Sequence, residues 1–122
     1  MTLLRSIGSV LAGYVIFATS SFAIFRIAGR APHAPAPAWF MGLSTVLGIV
    51  FALIGGYVAG WLARRRSFAH GAAVGVLIAL GAAMSLWMTL GHGAVWTQVA
   101  ALVCMAPAAA IGGRMRARAA SE

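Results

Sequence analysis

Met84, Met88 and His92 recur at every fourth residue, a spacing that puts three side chains on one helical face. Two thioethers and an imidazole, with Met41, Cys104 and Met105 on neighbouring segments, are the ligand types that suit a soft cation such as Cu(I). The competing reading is ordinary: methionine fills gaps in apolar packing, and a histidine at the end of an apolar run sits in the interface. We keep the three as weak copper candidates and assign neither metal nor cofactor. Haem needs axial ligands at one buried depth; His33 and His92 fall near one end of the chain's apolar segments and His70 near the other.

Acid–base chemistry has even less to work with. The only carboxylate side chain is Glu122, and the nine basic residues are all arginine. Without an acid, no Ser-His-Asp set can be assembled. No Gly-rich phosphate loop precedes a Lys. A proton-driven exporter usually carries an ionisable group at membrane depth, and no Asp, Glu or Lys lies within the apolar segments. The residues therefore point to no catalytic role, and the chain reads as a non-enzyme.

The elements that would position any site are plain from hydropathy. The sequence is 62% hydrophobic and 8% charged over 122 residues, against about 25% charged in a soluble domain. Apolar runs span about 7–28, 39–63, 68–90 and 94–111. Each is close to the roughly 20 helical residues that cross about 30 Å of hydrocarbon. None alternates polar and apolar as a barrel strand does. Backbone groups in lipid must bond within their own segment. The expected fold is thus all-α: one membrane domain over 1–122, a bundle of four transmembrane helices in antiparallel up-down order.

The connections support that order. Residues 31–38 hold three prolines, which exclude helix and favour an extended link. Arg64-Arg65-Arg66 is a tight basic turn, with Ser67 placed to cap the third helix. Gly91-His92-Gly93 is a short turn, and residues 113–122 read as a frayed basic tail. Pro107 should kink the fourth helix. With the N-terminus cytoplasmic, seven arginines lie inside (Arg5, Arg64, Arg65, Arg66, Arg114, Arg116, Arg118) and two outside (Arg26, Arg30). That bias predicts both termini in the cytoplasm. Trp39, Trp87 and Trp96 then mark the outer interface and Trp61 the inner. Arg5, the following apolar run and Ser21-Phe22-Ala23 resemble a cleavable secretory signal. The run continues through Ile24, Phe25 and Ile27, so a retained span is the expectation.

Packing and surface residues follow from this frame. Small residues recur at spacing four as Ser44, Gly48, Ala52, Gly56 and Gly60, as Gly71, Gly75, Ala79 and Ala83, and as Ala100, Cys104, Ala108 and Gly112. Such rows let helix backbones approach closely where no hydrophobic drive exists between helices. Arg64, Arg65, Arg66, His70, Arg114, Arg116 and Arg118 are the candidates for anionic lipid headgroups. Charge placed between apolar runs argues against nucleic acid as the partner. Thr19, Ser20, Ser21, Ser44, Thr45, Ser85, Thr89, Thr97 and Gln98 all fall in the outer half. They read either as local hydroxyl bonds or as a shallow polar vestibule.

The stretch Gly55-Gly56-Tyr57-Val58-Ala59 through Arg64-Arg65-Arg66 to His70-Gly71 resembles small four-helix bacterial membrane proteins of unknown function. The resemblance covers about the central third of the chain. It implies a four-span inner-membrane protein and brings no activity with it. The expected role is structural or accessory, binding a second copy or another membrane protein. The alternative is a small channel for a solute or ion.

Overall fold

The computed structural model describes residues 2–30, 37–64, 66–89 and 96–121. Helix α1 is Thr2–Ala28, α2 is Ala38–Ala63 and α3 is Ser67–Thr89. The fourth span is composite: α4 (Trp96–Ala100), a π-helical turn (Ala101–Met105) and α5 (Ala106–Ser121). Four stretches are long and apolar enough to cross a membrane: Leu3–Ala28, Ala38–Ala63, Ser67–Met88 and Trp96–Ala119. The protein is an all-helical bundle of four candidate spans. Its surface carries large apolar side chains such as Leu11, Val76, Leu80 and Trp87, as a lipid-facing exterior requires.

Several local expectations change. Residues 113–121 are helical, so the basic tail extends α5 and does not fray. Likewise α1 begins at Thr2, ahead of its apolar run. Ser67 does not cap α3. The first turn is closed by the His70 amide donating to the Arg66 carbonyl (3.1 Å), and the Ser67 hydroxyl donates instead to the Gly60 carbonyl of α2 at 3.2 Å. Pro107 follows a π turn, in which the Ala106 amide reaches back to the Ala101 carbonyl. A wider turn eases the clash between the proline ring and the carbonyl four residues earlier. The Gly91-His92-Gly93 turn and residues 31–36 lie outside the described residues. Pro37, at the end of that link, has φ −65° and ψ 153°, the polyproline-like value.

Helix α2 touches every other span. It packs on α1 along one side and on α5 along another, and α3 packs chiefly on α5. The α2–α3 contact crosses the short diagonal of the bundle. The core is thin: Phe17, Ala52, Ala59, Val74, Ile78, Ala108 and Ala109. Among the described residues, Val74 is the largest side chain buried completely, so backbone proximity, and not side-chain volume, joins the helices. At the other end, Phe25, Phe40 and Trp96 clasp α1, α2 and α4, with ring centroids 5.6–6.3 Å apart. The Arg30 guanidinium caps Phe40 at 4.9 Å, an attractive cation–π distance.

Candidate functional site

Three arginines from three elements converge where α1 begins, α2 ends and α5 ends. Arg5, Arg64 and Arg116, with Trp61 and Leu62, line a cavity of about 330 Å³. Arg5 is held in place: its Nε donates to the Leu62 carbonyl at 2.9 Å, one of the carbonyls left over at the end of α2. Arg116 lies with its guanidinium carbon 6.0 Å from the Tyr57 ring centroid. Its Nε is buried and has no acceptor. Arg64 is the C-cap of α2, in the left-handed region at φ 67°, and its amide donates to the Gly60 carbonyl. Glycine is the residue that adopts this conformation freely. An arginine there accepts backbone strain and lines the cavity. No carboxylate side chain exists among the described residues to offset these charges.

A second feature adjoins it on the other side of α1. A groove of about 740 Å³ runs between α1 and α3, apolar along Ile7, Leu11 and Leu77 and polar at its Ser6, Arg66 and His70 end. His70 Nδ1 lies 2.9 Å from the Arg66 carbonyl and Nε2 lies 3.0 Å from Ser6 Oγ. Because a carbonyl only accepts, Nδ1 carries the proton. In the neutral ring, Nε2 then accepts from the Ser6 hydroxyl. His70 thus ties α3 to α1.

The headgroup candidates therefore divide. Arg64 and Arg116 meet in the cavity. Arg66 and His70 line the groove. Arg114 and Arg118 are exposed on α5, and Arg65 lies outside the described residues. Arg5 is the cavity residue that sequence reasoning used only for topology and for a signal-like N-terminus. Its position one turn into α1, at the same end as the basic turn, is the signal that could have found it.

The small-residue rows are placed as follows. Ser44, Gly48, Ala52, Gly56 and Gly60 are all buried along α2. A Cβ on Gly48 would meet Met105, on Gly56 the Ala109 carbonyl, and on Gly60 the Ser67 Cβ at 2.8 Å. On α3, a Cβ at Gly71 would lie 2.5 Å from Gly113 Cα, and one at Gly75 would lie 2.5 Å from the Ala106 oxygen. Ala79 is half-buried and Ala83 exposed. The row on the fourth span does not run through: Ala108 and Gly112 are buried, whereas Ala100 and Cys104 are only half-buried. A π turn adds about one residue, rotating what precedes it by roughly 100°.

The soft-metal candidates are placed as follows. Met84 and Met88 are 68% and 72% exposed on α3, and His92 lies outside the described residues. Met41 and Cys104 share a different groove, beside Thr45 and Trp96. Met105 turns inward against Gly48.

The polar residues at the end away from the arginine cavity split between local bonding and a crevice. The Ser44 hydroxyl donates back to the Phe40 carbonyl at 2.7 Å. Gln98 is buried; its Nε2 donates to Ser85 Oγ at 3.0 Å, and its Oε1 accepts from Thr97 at 2.9 Å. Two small cavities, about 160 and 180 Å³, flank this group and share Phe17, Thr97 and Ala101. The Ser21 hydroxyl is buried without a partner and lines the first of them. Comparison with family models, curated proteins and solved structures gives no match for this chain.

Proposed function

We propose that the protein is a non-enzymatic, multi-pass scaffold or accessory protein of a bacterial inner membrane, with both termini in the cytoplasm and its arginine-rich end among anionic headgroups. The observation that carries this reading is the closure of the arginine-end half by backbone. Gly13 faces Gly55, Gly56 faces Ala109, and Gly71 faces Gly113, each pair without room for a Cβ between them. Such contacts maximise dispersion and resist opening. The lipid-facing apolar surface supplies area for a second copy or another membrane protein.

One observation favours permeation as a second reading: the outer cavities carry Ser21, Thr97 and Gln98 along a partly polar path. That path ends at Phe17, Gly48 and Met105, where backbone packing begins. Proteoliposomes decide between the two. For the scaffold, vesicles carrying the protein leak glycerol and sodium no faster than protein-free vesicles; saturable flux of either would replace the scaffold with a channel.

A further inference from the structure

We propose that Arg5, Arg64 and Arg116 form a binding site for a phosphate group. The proposal deepens the headgroup reading of the arginine-rich end. It names the three residues that act together and the chemistry they select.

Three arginines line one cavity, from the start of α1, the end of α2 and the end of α5. Like charges gathered in a partly enclosed pocket repel, and water screens them less there than on an open surface. An internal carboxylate would be the usual remedy, and the described chain has none. A bound anion would supply the balancing charge that the described residues lack. Guanidinium forks bind oxyanions through paired, charge-assisted hydrogen bonds. Three forks arriving from different directions match the several oxygens of a tetrahedral phosphate better than the two oxygens of a flat carboxylate. Two further features accompany the cluster. Arg116 holds a buried Nε with no acceptor. Arg64 occupies a left-handed cap at φ 67° that glycine would fill without strain. The Arg5 Nε is already committed to Leu62, so an anion would be met by its two terminal nitrogens. Trp61, 54% exposed, forms an apolar lip suited to the glycerol or acyl portion of a phospholipid.

The phosphate can belong to a lipid or be free in the cytoplasm, and two arms separate these sources. In the first, detergent-solubilised protein is titrated with inorganic phosphate, against chloride at matched ionic strength, and thermal unfolding is followed. In the second, the protein is placed in phosphatidylcholine nanodiscs with or without phosphatidic acid. The expected result is a saturable rise in Tm in at least one arm. Arg64→Gly, which relieves strain and so keeps the fold, should weaken the response about tenfold, the loss of one charge-assisted contact. Arg116→Gln should do the same, and Arg26→Gln at the opposite end should leave it unchanged. A response in the nanodisc arm alone identifies a lipid phosphate; one in the first arm alone identifies a soluble one. No saturable rise in either arm, or a rise that Arg64→Gly leaves intact, overturns the site. Vesicle leakage reports on the closed scaffold independently, so the two readings fail separately.

Discussion

Gly56 of α2 and Ala109 of α5 meet with no side chain between them: a Cβ built on Gly56 would overlap the Ala109 carbonyl oxygen. Ala109 is itself completely buried. The contact joins the central helix to the fourth span, and backbone atoms on both sides leave nothing flexible to move aside.

Gly56→Leu should therefore destabilise the bundle by about 3 kcal/mol or more, the upper range for overpacking a closed site. Gly42→Ala is the matched control, because a Cβ there meets nothing within 4 Å, and it should change stability by less than about 1 kcal/mol. Thermal unfolding of both variants in detergent checks the contrast. Equal melting temperatures would contradict the close approach.

Arg64→Gly should raise the stability of the ligand-free protein by up to about 1 kcal/mol, because φ 67° strains any residue with a Cβ. Chemical unfolding without phosphate measures it. A loss of stability would mean that the arginine side chain supports the fold.

Gln98 and Ser85 should be energetically coupled. Their hydrogen bond joins α4 to α3 at a buried position, and such bonds between membrane helices average about 0.6 kcal/mol. A double-mutant cycle with Gln98→Ala and Ser85→Ala reads the coupling directly. Strict additivity would show that Gln98 is satisfied by other partners.

Cysteines introduced at Thr2 and Ser121, in a Cys104→Ser background, should behave alike toward a membrane-impermeant maleimide. Four spans would return the chain to its starting side, and the arginine bias predicts that this side is the cytoplasm. Both should label in inverted vesicles and neither in intact cells. Labelling of one without the other would break the up-down order.

Hydropathy alone made the four spans legible, because a surface with so few charges can be solvated only by acyl chains. The small residues of α2 were readable for a related reason: lipid supplies no drive between helices, so close approach must come from residues with little side chain. Ser67 marks the limit. Its type fits an N-cap, but the nearness of Gly60, set by the α2–α3 contact, turned its hydroxyl across to the other helix. The fourth row failed similarly, since a spacing rule assumes one uninterrupted helix and the π turn before Pro107 resets the phase.

Sequence by itself determined the apolar character of the helices, the number of candidate spans and the placement of charge at the ends, all properties of segments taken singly. Which arginines stand together was decided only by tertiary structure. Arg5, Arg64 and Arg116 lie far apart along the chain, and only the packing of α1 and α5 about α2 brings them to one cavity. A guanidinium recognises its anion through distance and direction, and those are fixed by helix packing.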